Sequence, residues 1–385
     1  MDKIKYILFK PIDNFGFFKL FFLILIILFS TISWFIHPEN LDSSDFILIA
    51  WNPGQELLTT GTVDLNYPYP LWTVVVLLPF ILWTQKAAVL LWFVCNMLML
   101  AASFALFLLM FDWQITPAIL ALIISLSIFF LPVLTSLWLG QLTVFSLFFL
   151  ALTLYFYLHQ RWTWLGIALG LSFIKPQIML LLTGLLLIWA LWQRRWLVWV
   201  GFVAVILALV LISLPFISNP TQIIGGGISS HLGTYILRTS TLWGVTMISG
   251  MSWGVPLVLS IGMVFWLGWI WFSFLRGGSI SKSRMLFLFS AAIMVNLIVI
   301  PYSWMHNLIL LLLPLGYCVF LTLKLSQNAR AIWLILLFTI MHPLMVFLFV
   351  AFSSPRDTQA YQIIPALLLL PIMINLEYKI SHRTV

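Results

Sequence analysis

Between Trp113 and Arg356 the chain carries no aspartate and no glutamate. Apolar runs follow one another through that stretch, broken by little more than Gly, Pro and isolated cations. This pattern rules out most folds. A water-soluble domain keeps about 25% of its residues charged. Here 7% are charged and 63% are hydrophobic, over 385 residues. The interior of such a chain cannot hide that much apolar surface from water, so lipid is its solvent. The chain reads as a single all-α, polytopic membrane domain over 1–385, with no length left for a separate soluble domain.

The spans fall near 17–36, 69–84, 87–111, 115–135, 142–158, 163–191, 197–216, 252–275, 285–301, 306–323, 331–352 and 360–376. Two are short and one is long, so the chain has about 10–13 transmembrane helices. The first run has no small-residue cleavage site behind it and reads as an uncleaved span. With the N-terminus in the cytoplasm, that side collects Lys3, Lys5, Lys10, Lys19, Lys86, Arg194, Arg195, Arg276, Lys282, Arg284, Lys324, Arg330, Lys379 and Arg383. The outside keeps Arg161, Arg238 and Arg356. This asymmetry follows the positive-inside rule and puts both termini in the cytoplasm. The net charge of +8 is scattered singly and in pairs, which does not suit nucleic acid. Cys95 and Cys318 lie within apolar runs and read as packing residues.

One span has two readings. Residues 163–191 contain "IKPQ", and Pro176 bends or breaks a helix. As two short helices with the Lys175–Pro176 turn at one membrane face, the segment puts "LGQ" (139–141) outside and "HQRW" (159–162) inside. As one span it does the reverse.

Half of the ten acidic residues fall in the first external loop, 37–68: Glu39, Asp42, Asp45, Glu56 and Asp64. Within it, "SSDFILIAWNPGQELL" has apolar residues at Phe46, Ile49, Ala50, Leu57 and Leu58. The spacing predicts a short amphipathic helix on the outer membrane surface, capped by Ser43, Ser44 or Asp45. A carboxylate there serves as a general base when a substrate hydroxyl is within reach. The same pattern also suits a plain cap on a solvated loop. Asp64 is the reserve candidate, close to "YPYP". Tyr67, Tyr69 and Trp72 then form either an interfacial aromatic belt or a stiff wall beside the loop.

Lys175 stands deep in apolar sequence with no acid near it. Such a residue faces a cavity, a partner or a phosphate, or else it snorkels to the interface. "PYSWMHN" (301–307) gathers Ser303, Trp304, His306 and Asn307 at one external turn. A second long external segment, 217–251, carries His231 and Arg238. There is no His/Cys/Asp cluster at metal-ligand spacing, no phosphate-binding Gly-rich loop and no GxSxG elbow. We therefore expect neither a metal nor a cofactor.

The order "DF", "YPYP", "LGQL", "GIALGLSFIKPQ" and "PYSWMHNLILLLLP", over roughly residues 30–325, resembles glycosyltransferase family 87. Members of that family include polyprenyl-phosphate-mannose-dependent mannosyltransferases. The resemblance implies a GT-C-like membrane fold, in a bacterial cell membrane. It also implies transfer of a sugar, mannose or another hexose, from a polyprenyl-phosphate donor to a lipid, glycan or protein acceptor on the outer face. The family's essential acid in the first external loop matches Asp45. Lys175, His306, Trp304, Ser303, Tyr67, Tyr69, Gln141 and Arg238 are then the substrate-binding candidates. Two other classes stay open. An oligosaccharide ligase or polymerase would rely on His231 and Arg238 without a carboxylate base. A flippase or transporter would show repeated halves, and none is seen.

Overall fold

The computed structural model describes residues 45–64, 67–113, 116–219, 222, 236, 239–276, 281–351 and 360–381. The first span, 17–36, lies outside these residues, as do Glu39, Asp42, Ser43, Ser44, His231 and Arg238. Among the described residues every element is helical and there is no strand. Lipid enforces this, because a helix satisfies its own backbone hydrogen bonds where water cannot.

A π-helical turn, Ile47–Trp51, runs into α1 (Asn52–Thr60). There follow α2 (Trp72–Ile81), α3 (Gln85–Met110), α4 (Pro117–Phe129), α5 (Leu131–Trp138), α6 (Thr143–Leu158), α7 (Trp162–Ser172), α8 (Pro176–Trp192) and α9 (Trp196–Ser213). The second half holds α10 (Leu242–Ile248), α11 (Gly254–Arg276), α12 (Lys282–Val299), α13 (Leu312–Leu323), α14 (Gln327–Met341), α15 (Pro343–Ala351) and α16 (Ile364–Ser381). Seven helical stretches among the described residues are long and apolar enough to cross a membrane. Burial sorts them. The stretches Lys282–Val299 and Met305–Leu323 are 83% and 89% buried, so they form the centre. Trp196–Phe216 and Gly254–Phe274 are 22% buried, and their exposed Val, Leu, Ile and Phe suit lipid contact.

The bundle has two chemically different ends. At one, the Lys282 ammonium pairs with Asp112 at 2.6 Å, and Arg195 lies over the Trp162 ring at 4.6 Å. Tyr317 donates to Glu377 at 2.5 Å there, and Lys379 lies over Trp333 at 5.2 Å. At the other end, Phe46 N donates to Leu139 O, Trp92 Nε1 to Gly140 O, and Gln222 Nε2 to Val63 O. We call these the basic end and the Asp45 end.

These contacts correct parts of the sequence reading. The expected span 69–84 does not cross. Its helix α2 has 10 residues, about 15 Å at 1.5 Å per residue, against a hydrocarbon core of about 30 Å. Leu71 N bonds Gln222 O, Ile81 O accepts from Gln55, and Phe80 packs on Trp92, so both ends of α2 stay at the Asp45 end. Lys86, at the start of α3, lies at that end rather than with the other cations. The long span 163–191 is two helices. Pro176 cannot donate to a continuing ladder, so α7 stops at Ser172 and α8 begins at Pro176. Trp162 and Arg195 then share the basic end, so Arg161 joins the cations there instead of Arg238 and Arg356. The expected span 115–135 is also broken, at Phe130, into α4 and α5.

Close packing holds the short helix α7 in place. A Cβ added to Gly166 would strike Val198 O, and one on Gly201 would strike Thr163 O. Small residues let the backbones of α7 and α9 touch, which drives association where lipid removes the hydrophobic gain.

Candidate functional site

Three interruptions in helices converge at the Asp45 end. The first is the bend of 119° between α5 and α6. Gly140 makes it with φ +64, and a side chain there would press on Phe46 and Trp92. Gln141 follows, its N–H held by Ser136 O at 2.8 Å. The second is the α7–α8 break, which presents Lys175. The third is the connection after α12, where Ser303 to Asn307 lead into the 3-10 turn Met305–Leu311.

Asp45 joins them from the first loop. Its carboxylate Oδ2 accepts a hydrogen bond from Gln141 Nε2. Gln141 Oε1 in turn accepts from Lys175 Nζ at 2.8 Å. The ammonium has three protons, and the other two go to Thr143 Oγ1 at 3.2 Å and Asn307 Oδ1 at 3.3 Å. Thr143 Oγ1 donates to Asn307 Oδ1 at 2.9 Å, and Asn307 Nδ2 donates to Ser303 Oγ at 3.0 Å. Ser303 O accepts from Ser240 N at 2.8 Å, which ties in the segment before α10. Lys175 also faces the Tyr69 ring at 5.6 Å.

Burial makes this network chemically unusual. Lys175 is 1% exposed, Gln141 1% and Asn307 2%. An isolated charge at such depth would be very costly, so the three oxygens and the nearby carboxylate are what keep the ammonium there. Protein oxygens occupy all three donors of Lys175. Asp45 is half-buried. Desolvation raises its carboxyl above the ordinary range, while the Lys175 charge and the Gln141 hydrogen bond pull it back down. Burial also raises the Tyr69 hydroxyl well up, and Tyr302, Asp45 and Tyr67 push it the same way.

The loop helix forms with a shifted face. Phe46, Ile47, Ala50 and Leu57 are buried in a protein core rather than laid on the membrane surface, Ile49 packs half-buried against that core, and Leu58 is exposed. The π-helical turn causes this, because it rotates side chains less per residue than an α-helix. Asp45 points its carboxylate at Gln141, and the turn Ile47–Trp51 has no side-chain cap. Tyr67 OH bonds Ile49 O at 2.7 Å, locking "YPYP" to this turn.

The candidates therefore divide. Asp45, Gln141, Lys175, Tyr69 and Ser303 meet in one network. Tyr67 braces it. His306 is 6% exposed; its carbonyl accepts from Ser136 Oγ at 2.9 Å, and its Nε2 is buried without a hydrogen-bond partner. Trp304 Nε1 donates to Tyr302 OH at 2.6 Å. Asp64 is exposed, with its carbonyl bonded to Tyr67 N. Thr143 was missed as a site residue, and Asn307 was read only as part of a polar turn. Their signal was present in single polar residues, Thr143 just after "LGQL" and Asn307 at the end of "SWMHN", but pairing residues 164 apart needs the fold.

The sequence profile of glycosyltransferase family 87 matches residues 67–301, more than half of the chain. The match includes Gln141, Thr143 and Lys175, and it leaves out Asp45, His306 and Asn307. No curated protein and no solved structure matches the chain.

Proposed function

We propose, from the premise that this chain belongs to glycosyltransferase family 87, that it transfers a hexose from a polyprenyl-phosphate donor to a lipid or glycan acceptor. Membership makes it a membrane glycosyltransferase. The donor class, the sugar and the working residues are our own reading. One observation carries that reading: a carboxylate and a buried ammonium meet through Gln141 at the end of the bundle away from the clustered cations. By the positive-inside rule the basic end is cytoplasmic, which turns the Asp45 end outward; in this reading the chain sits in a bacterial cell membrane with both termini in the cytoplasm. No nucleotide is required there, because the sugar arrives already activated on a lipid phosphate.

In this reading Asp45 takes the proton from the acceptor hydroxyl. The hydroxyl oxygen attacks the anomeric carbon, and the bond from that carbon to the phosphate oxygen breaks. The lipid phosphate leaves with the electron pair, and Lys175 stabilises its charge. A single displacement of this kind inverts the anomeric centre and needs one carboxylate. A hydrolase more often sets two against each other. In this reading Tyr67, Tyr69, Ser303, Trp304 and His306 border the acceptor and donor groups.

The test is Asp45→Asn in membranes supplied with a radiolabelled polyprenyl-phosphate mannose and total lipid acceptors. Turnover should fall by about 100-fold or more, on the scale of general-base loss. Full activity in this variant, with loss in Asp64→Asn, would move the base to Asp64. Full activity in both would favour a ligase that works without a carboxylate.

A further inference from the structure

Gln141 does something no simple binding residue does: its one amide touches both charged groups. Nε2 donates to the Asp45 carboxylate while Oε1 accepts from the Lys175 ammonium. An amide is the side-chain group that offers donor and acceptor together at neutral charge. The two charges polarise it in the same sense, which strengthens both bonds. Its backbone has little freedom, because Gly140 is trapped beneath Phe46 and Trp92 and Gln141 N is bound to Ser136 O. The other two acceptors of Lys175 are equally fixed, since Thr143 and Asn307 bond each other and Asn307 bonds Ser303. Of the three oxygens on the ammonium, the Gln141 amide is therefore the one without a second protein anchor on its acceptor side.

We propose that Gln141 is a positioning residue that couples donor binding to activation of the base. This rests on the reading of Lys175 as the phosphate holder and Asp45 as the base. A phosphate oxygen arriving at Lys175 displaces Gln141 Oε1. The amide then withdraws from Asp45. The carboxylate loses a hydrogen bond to its charged form, and the phosphate neutralises the ammonium field it felt. Both changes raise its proton affinity. Asp45 becomes a stronger base, with a free lone pair, only once a donor is present. Without donor, the carboxylate stays occupied. The order of events is donor first, acceptor second. No bond to carbon forms or breaks in this step; two hydrogen bonds are exchanged for one to phosphate.

The titratable groups around the pair are Tyr67 and Tyr69 from the loop before α2, and Tyr302 and His306 from the connection after α12. None of them supplies the two-sided link.

Carbodiimide labelling reads this without turnover. The reagent modifies protonated carboxyls in apolar surroundings, and peptide mass spectrometry assigns the adduct to Asp45. In purified full-length protein, Gln141→Met should move the labelling midpoint at Asp45 up by at least about one pH unit, a tenfold change in protonation. Adding a short-chain polyprenyl phosphate to the unaltered protein should shift it the same way, and should shift it by less in Gln141→Met, where only the change in the ammonium field remains. Inorganic phosphate in parallel tells a lipid-borne group from a free anion. Gln141→Asn, shorter by one methylene, should fall between the two if the reach of the amide is what matters. An unchanged midpoint in a Gln141→Met protein with intact helical circular dichroism would overturn the proposal. So would a shift in Gln141→Met that the polyprenyl phosphate does not reproduce in the unaltered protein. These outcomes do not depend on Asp45 being the base. A normal labelling shift with an active Asp45→Asn variant would sink the reading of the reaction while leaving the coupling intact.

Discussion

Two Lys–Asp partnerships sit at opposite ends of this molecule, and they are built in opposite ways. Lys282 touches Asp112 directly at 2.6 Å, with side chains 38% and 73% exposed. Lys175 and Asp45 are kept apart by an amide, with the lysine 1% exposed. Water and salt screen the first pair, and such contacts contribute about 0–1 kcal/mol. The second lies where every lone pair and proton must be matched inside the protein. Direct contact is thus found where it matters little. Where the charges are costly to hold, the protein sets an amide between the ammonium and the carboxylate.

The sharpest way to break this contrast is to remove one buried charge. Lys175→Met leaves Gln141, Thr143 and Asn307 without their shared donor and Asp45 without its counter-charge. Uncompensated burial of this kind costs about 3–5 kcal/mol, so thermal unfolding in detergent should occur at a clearly lower temperature. Melting unchanged from the unaltered protein would mean that the ammonium contributes nothing to the fold. A smaller loss is expected from Gly166→Val, which drives a side chain into Val198 O. Overpacking costs about 1–3 kcal/mol, and it acts on α7, the helix that leads into the Lys175 break. Gly184→Val, where a Cβ meets nothing within 4 Å, is the matched control and should melt normally. The smallest effect belongs to the exposed pair. Lys282→Ala should change stability by no more than about 1 kcal/mol and lose even that at high salt.

Acidity sharpens the contrast in another way. Burial raises the Asp45 carboxyl, so it keeps its proton to a higher pH than an ordinary carboxylate. A base works only in its ionised form, so turnover should fall on the acid side, at a pH above the usual carboxylate range. An acid limb within the ordinary range would show that burial does not govern this group.

Much of this was readable from residues alone. Continuous apolar runs dictated an all-helical bundle, the acid-free middle isolated Lys175, and Pro176 marked the break that presents it. Hydropathy could not tell α2 from a span, because a short helix against protein and one through lipid are equally apolar. The error carried Lys86 to the wrong end. Arg161 was misassigned because "IKPQ" allows one helix or two, and only the packing of Trp162 under Arg195 decides. The face of the loop helix departs from the expected one at Ile47 and Leu58 because a π-helical turn leaves no mark in composition. Thr143 and Asn307 act through proximity between distant segments, which no spacing rule reports. Cysteine labelling in intact cells tests the corrected ends. An impermeant reagent should label Thr62→Cys and spare Gln160→Cys; the reverse pattern would invert the bundle.

In the proposed reaction the separated pair does the chemistry and the touching pair does not. Turnover of Asp45→Asn and Asp112→Asn, measured side by side in the same membranes with a polyprenyl-phosphate sugar donor, tests it most directly. Asp45→Asn should lose about 100-fold or more, and Asp112→Asn should keep activity within about twofold of the unaltered enzyme, as befits an exposed pair. Equal activity in the two variants, or a larger loss at Asp112, would contradict it.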